Sequence, residues 1–378
     1  SGIADYSREL LPHLVNGADV TAFAPDPAAV DAQLAAQIRI ESIEQFAVRR
    51  SEFDLALYHI GNSEHHDEIA RLGVQYPGAI VLHDFYLHHS VALRTIGTED
   101  KFTYWREMGY ALGAHGVRLA NGVEHGAEPP LFDVPLNGRL LDASLGVIVH
   151  SAFVERLVRQ QGYGGPLAVI PAQIASQNGR SRRAELDLPQ DVVLFACFGM
   201  ITREKQIAAI LQVLHEVRRE MPQVHYLLAG DVMADVPLND LIHEYGLEDV
   251  VHRIGYISDL YEFVDWIHTA DAVINLRNPT VGETSATALR AMAAGRPLIV
   301  SDHGWYGELP SDAVLKVTPG ANDALLEAMQ RLVRSPEVRE QIGRAGQVYA
   351  NEECDPERVA SRYLDGLDRI SQAVRILG

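Results

Sequence analysis

Short, near-continuous apolar runs separated by amphipathic stretches dominate the chain from about residue 54 onward. The runs are Leu55-Ala56-Leu57, Ala79-Ile80-Val81-Leu82 and Gly146-Val147-Ile148-Val149, then Leu194–Phe198, Tyr226-Leu227-Leu228-Ala229, Ala272–Leu276 and Pro297-Leu298-Ile299-Val300. Each has strand length and lacks the apolar/polar alternation of a half-solvated strand. This is what strands covered on both faces require. Between several of them apolar positions follow helical spacing: Ile207, Ile210, Leu211 and Leu214, then Leu289, Met292 and Ala293. Alternating β and α predicts doubly wound parallel sheets. The segment from Ile170-Pro171-Ala172-Gln173 to Pro189 lacks a long apolar run and carries Asn178-Gly179 with Arg180, Arg182 and Arg183, so it reads as an interdomain linker. The predicted domains are 1–175 and 176–355, followed by a C-terminal helix over 356–378 that carries Val359, Tyr363, Leu364 and Leu367.

The start is unusual. Ile3, Tyr6, Leu10, Leu11 and Leu14 share one helical face, so the chain opens with a turn and a helix. A Rossmann-like domain normally begins with a strand feeding that turn. The expectation is therefore a first domain whose first strand is missing.

Size and charge narrow the classes. At 378 residues, two domains are the natural prior, and 47% hydrophobic residues are enough for two cores. A formal charge of −19 with no Lys/Arg-rich run argues against nucleic acid and against electrostatic delivery to anionic lipid. Two cysteines make no disulfide framework, and Cys197, inside the run Val192–Phe198, reads as a small buried hydrophobe. No apolar stretch approaches the roughly 20 residues needed to span a bilayer, and no signal peptide is recognisable. The expected location is cytoplasmic, with a peripheral position at the inner membrane face left open.

Candidate chemistry gathers where strands end. Ligands of open α/β sheets bind beyond the carboxyl ends of the strands, and a helix N-terminus there offers free N–H groups to phosphate. Gly199 ends one strand, with Arg203 and Lys205 just before a helix; Lys205 is placed to balance a diphosphate, or is a solvated surface lysine. Arg277 to Ser285 end another strand. Gly282 allows close backbone approach, and Thr284 and Ser285 are capping types. Glu283, which phosphate would repel, suits sugar hydroxyls or a first helical turn. Residues 301–310 (Ser301-Asp302-His303-Gly304 onward) read as a cleft wall or a plain connection. His83-Asp84 closes a strand in the first half; His83 suits an acceptor hydroxyl or a transferred sugar, with Asp84 fixing its tautomer, or is a satisfied structural histidine. His65-His66 and His88-His89 make poor metal sites, because adjacent side chains diverge and neither a Cys partner nor an HExxH pattern accompanies them. Ser1-Gly2-Ile3-Ala4-Asp5-Tyr6 is a small-residue turn that would let a ligand approach the backbone. Neither a Walker A lysine motif nor GxGxxG is present.

Together these stretches resemble the family 4 retaining glycosyltransferases of the GT-B fold. The resemblance rests on residues 1–7, His83-Asp84, Val147–Ser151, Val169-Ile170-Pro171, Phe198-Gly199 with Glu204-Lys205, Gly255-Tyr256-Ile257, Gly282–Ser285 and Leu289–Pro297. It implies two Rossmann-like domains facing across a cleft. A nucleotide sugar, UDP- or GDP-linked, would lie mainly on the second domain, with the base near Gly255-Tyr256-Ile257 and the diphosphate near Gly2, Gly199, Arg203, Lys205, Arg277 and the helix after Thr284 and Ser285. Catalytic roles would fall to His83, Glu283 and Lys205. It further implies a glycan or glycolipid hydroxyl as acceptor, retention of configuration, no metal, and no cofactor beyond the donor substrate. Met200 stands where many members carry Arg, and Arg290 stands where many carry a second Glu. Two other readings remain: a sugar-nucleotide epimerase, for which Asp302 and Glu308 would be the extra carboxylates, and a catalytically silent partner subunit.

Overall fold

The computed structural model describes residues 2–176, 178–189 and 191–377. Ser1, part of the opening turn singled out above, lies outside them. The chain divides into two compact units. The first is residues 1–173, Val281–Thr284 and 356–378; the second is Ile174–Thr280 and Ser285–Asp355.

In the first unit, β1 (Thr21–Ala24) and β2 (Arg39–Ser42) pair in parallel as a two-stranded sheet. β3 (Leu57–Ile60), β4 (Ala79–Leu82), β5 (Gly146–Val149) and β6 (Leu167–Val169) form a second parallel sheet in that order. All four residues of β4 and of β5 are buried, as their unbroken apolar pattern requires. β3 runs three residues past the apolar run at 55–57, since Leu57 pairs with Ala79 and Ile60 with Leu82. The opening helix Gly2–Leu14 buries Tyr6, Leu10 and Leu14, and the C-terminal helix Pro356–Leu377 belongs to the same unit. The Tyr6 and Tyr363 hydroxyls meet at 2.8 Å.

The periodicity did not point to β1 and β2, whose residues are half-buried or exposed, or to the helix pair Lys101–Leu112 and Ala114–Glu124. That pair folds back so closely that a Cβ at Gly116 would lie 1.9 Å from the Met108 carbonyl oxygen.

In the second unit, β7 (Val193–Phe198), β8 (Val224–Ala229), β9 (Val251–Arg253), β10 (Ala272–Asn275), β11 (Leu298–Ser301) and β12 (Leu315–Val317) form one parallel sheet. Its order is β12-β11-β10-β7-β8-β9. The chain runs outward through β8 and β9, then returns to the other side of β7 for β10. The order therefore reverses between β7 and β10, which is the switch point where doubly wound sheets receive ligands. Helix Ile207–Glu220 buries Ile207, Ile210, Leu211 and Leu214, and helix Ala286–Ala293 buries Leu289, Met292 and Ala293. No helix is long and apolar enough to cross a membrane among the described residues.

Candidate functional site

The carboxyl end of β7 is made of glycine. Gly199 has φ +78, a left-handed conformation, and a Cβ there would stand 3.3 Å from Lys205 Nζ. Gly230, at the end of β8, has φ +151, and its Cβ would come within 2.3 Å of the Gly199 carbonyl oxygen. The two strand ends therefore close up only because Gly230 carries no side chain. Beside them is a cavity of ≈ 100 Å³ lined by Gly199, Met200, Gly230, Asp231, Tyr256, Ile257 and Phe263 among others. Tyr256 is 72% exposed, so one large aromatic face is open to a planar ligand.

Lys205 is buried, at 5% exposure, and its ammonium donates to the Phe198 carbonyl. Burial, with a smaller contribution from Arg277, pushes its pKa down, while Cys197 opposes the shift. A buried lysine at the switch point, near a second cation, is an environment that an anion would relieve. Thr287, in the first turn of helix Ala286–Ala293, places Oγ1 4.0 Å from the Cβ position of Gly199. The helix is capped by Ser285, whose Oγ accepts from Ala288 N at 3.2 Å and from Asn275 Nδ2 at 2.7 Å. Lys205, Gly199, Arg277 and this helix start thus gather at the ends of β7 and β10. Arg203 does not join them through its Nε, which bonds the carbonyl and carboxylate of exposed Asp235, both at 3.0 Å. Gly255 (φ +68) precedes Tyr256 and Ile257 in the loop after β9.

The remaining expected residues belong to the first unit. Gly2 is exposed, with open space around it. Residues 281–284 are held against the segment after His83: the Val281 carbonyl accepts from Phe85 N at 2.8 Å and Tyr86 N at 2.9 Å. Gly282 (φ +78) is buried there, and a Cβ would meet Phe85 Cβ at 2.6 Å. Glu283 Oε2 accepts from Val281 N at 2.9 Å, so part of its carboxylate shapes its own turn. Thr284 is half-buried.

His83 lies between two other histidines. Its Nε2 is 3.0 Å from His59 Nδ1, and its Nδ1 is 3.1 Å from His150 Nε2. Tyr6 stands edge-on to His83, with ring centroids 4.9 Å apart. The tautomer control expected from Asp84 comes instead from His150, since both His83 nitrogens face imidazoles; Asp84 Oδ2 accepts from Asn62 N at 2.7 Å. Burial, then the neighbouring histidines, drive the His83 pKa well down. The same causes hold His59 at about 3, and burial alone lowers His150 to about 4. All three are neutral at pH 7.

His88 is structural: it bonds the Val134 carbonyl at 2.8 Å and the Tyr104 hydroxyl at 2.9 Å. His66 is turned to the His59 carbonyl at 3.2 Å. Among the described residues no group of three or more His, Cys, Asp or Glu side chains is placed to hold a metal.

Two parallel-sheet units, one with the doubly wound order above, define the GT-B class of fold. Residues 180–348 match the model of the family described as group 1 glycosyl transferases. The chain is similar to the lipopolysaccharide core biosynthesis glycosyltransferase LpsD of Rhizobium meliloti, 28% identical over 50% of this chain and 52% of that protein. It is also similar to the alpha-D-kanosaminyltransferase of Streptomyces kanamyceticus, 28% identical over 45% of each. The chain thus spans about half the length of these curated relatives. Among solved structures, Anabaena HepE in complex with UDP superposes with TM-score 0.67 at 16% identity, covering 98% of this chain and 96% of that one. Sucrose-phosphate synthase from Thermosynechococcus elongatus superposes with TM-score 0.68 at 19% identity, covering 98% and 93%.

Proposed function

We propose that the protein transfers a sugar from a nucleoside-diphosphate sugar to a hydroxyl of a glycan or glycolipid, with retention of anomeric configuration and without a metal. The observation that carries this reading is the switch point of the second unit. A buried lysine, a strand-ending glycine with φ +78 and the first turn of a helix meet there, next to a cavity bordered by an exposed tyrosine. Backbone N–H groups, a helix N-terminus and a lysine are the groups that bind diphosphate. The aromatic-edged cavity suits a base. HepE, which shares the fold, binds UDP, and this favours uridine over guanosine. LpsD and the kanosaminyltransferase favour a sugar as the transferred group.

In this reading Lys205 and the helix start stabilise the charge that grows on the leaving diphosphate, electrostatic stabilisation by groups fixed before the reaction. The departing phosphate oxygen takes the acceptor's proton on the face it leaves, so no side chain serves as a strong base. Glu283 addresses sugar hydroxyls rather than phosphate. His83 acts through the first unit's histidines. No resident cofactor takes part, and a cytoplasmic location with peripheral membrane contact completes the proposal.

The test is release of UDP from UDP-glucose and related donors, with and without a panel of alkyl glycosides. Acceptor-dependent UDP release, and a product that keeps the donor's anomeric configuration, is the expected result. An altered sugar still attached to UDP would establish an epimerase. A donor that binds but never turns over would establish a silent subunit.

A further inference from the structure

The three histidines of the first unit form a chain with only one possible arrangement of protons. His150 Nδ1 lies 2.9 Å from the Ile170 carbonyl, which can only accept, so the His150 proton is on Nδ1. Neutral His150 then offers a bare Nε2, and His83 must donate to it from Nδ1. Neutral His83 is left with a bare Nε2, and His59 must donate to that from its own Nδ1. The direction set by one backbone carbonyl propagates through three rings. It ends at His59 Nε2, a bare acceptor with no hydrogen-bond partner among the described residues. His59 is half-buried in β3, one residue before its carboxyl end.

We propose that His59 Nε2 accepts a hydrogen bond from a sugar hydroxyl, with His83 and His150 as positioning residues that hold His59 in this tautomer. The inference rests on the glycosyl-transfer reading for the identity of the ligand; the proton arrangement follows from the geometry alone. His83 has no nitrogen to spare for a ligand, because both are used within the chain. The geometry around the chain fits this role. Tyr6 covers the rings at centroid distances of 4.9 to 5.9 Å, and its hydroxyl is engaged with Tyr363. His66 donates to the His59 carbonyl and fixes the strand end itself. A neutral acceptor in a fixed tautomer selects for a hydroxyl and against an anion, since it offers a phosphate oxygen neither a proton nor a charge.

The sugar can be the donor's or the acceptor's, and the experiment separates them. In full-length protein labelled with ¹⁵N-histidine, long-range ¹H–¹⁵N spectra at neutral pH should show His59, His83 and His150 all protonated on Nδ1. His150→Asn retains a donor for the Ile170 carbonyl but removes the Nε2 acceptor. It should turn the untouched His59 into a tautomer mixture, which loss of packing alone would not do. UDP, UDP-glucose and an alkyl glucoside are then titrated. A shift of His59 Nε2 with UDP-glucose but not UDP assigns the donor sugar, and a shift with the glucoside assigns the acceptor sugar. His59→Phe should lower kcat/KM for transfer roughly 5- to 10-fold with UDP affinity unchanged, and His59→Gln should restore part of it. A proton on Nε2 of His59, or an Nε2 resonance that moves with neither sugar, overturns the proposal. Failure of UDP-glucose to bind at all overturns the nucleotide-sugar reading, and the glucoside titration still decides the role of His59.

Discussion

The second unit is arranged for charge, and the first for neutral polar contact. At the end of β7, a buried ammonium sits over a glycine, near a second cation and the positive end of a helix. At the ends of β3, β4 and β5, three imidazoles are kept uncharged by burial and by each other. Both sites use the same feature of parallel sheets, the carboxyl ends of adjacent strands. The difference lies in whether the side chain buried there can lose its charge near neutrality. Lysine, even with a lowered pKa, remains a partner for phosphate; buried histidine becomes a directional donor or acceptor. One site therefore offers groups that suit a diphosphate, and the other offers groups that suit hydroxyls.

Gly230→Ala puts a Cβ 2.3 Å from the Gly199 carbonyl in a φ +151 conformation, and should cost about 2–3 kcal/mol of stability. Gly246→Ala, with φ +62 but open space around it, should cost only about 1 kcal/mol. Urea titrations of the two variants measure the difference, and equal costs would mean that the strand ends can separate freely.

Lys205→Ala should weaken UDP binding by about 1.5–3 kcal/mol, the usual range for a lost charged hydrogen bond. Arg203→Ala, an exposed side chain paired with exposed Asp235, should change it by less than about 0.5 kcal/mol. Calorimetry on both variants shows whether the anion site is Lys205 or lies elsewhere.

The first unit should reveal its neutral histidines through pH. Well above pH 6.5 these rings are neutral both folded and unfolded, so they contribute no pH dependence there. As pH falls from 6.5 towards 4, the unfolded chain takes up protons that folded His150 refuses, and stability falls. For His150 alone the loss should be roughly 1–3 kcal/mol across that window. In His150→Asn the acid slope of the melting temperature should flatten over the same window. An unchanged slope would place the acid-sensitive groups elsewhere.

Glu283→Gln should separate transfer from binding. It should lower transfer roughly 10-fold while leaving affinity for bare UDP nearly intact, because a carboxylate that reads hydroxyls has no role in holding phosphate. An equal loss of UDP affinity would assign the residue to its own turn through Val281 N.

How far the sequence announced these sites depended on sequence distance. β4 and β5 follow their apolar runs residue for residue, because unbroken burial leaves no other pattern. Lys205 was visible because the glycine, the lysine and the helix are neighbours in sequence. β1 and β2 were not visible, since half-buried four-residue strands carry no periodic signal. The histidine chain was not visible either. It depends on register: Leu82 pairs with Val149, so the next residues, His83 and His150, meet, and Ile60 pairs with Leu82, which leaves His59 alongside. Three strands that each carry a histidine within one residue of their carboxyl ends were the available clue. The placement of residues 281–284 in the first unit depends on backbone hydrogen bonds to Phe85 and Tyr86, which no composition foretells.

The proposed glycosyl transfer depends on the β7–β10 switch point binding the diphosphate of a nucleotide sugar through Lys205 and without a metal. Calorimetric titration of UDP-glucose into the full-length protein, in EDTA and again with Mn²⁺, tests it most directly. The expected result is one site per chain, equal affinity in both buffers, and loss of that binding in Lys205→Ala. Binding seen only with Mn²⁺, or binding that Lys205→Ala leaves intact, would contradict it.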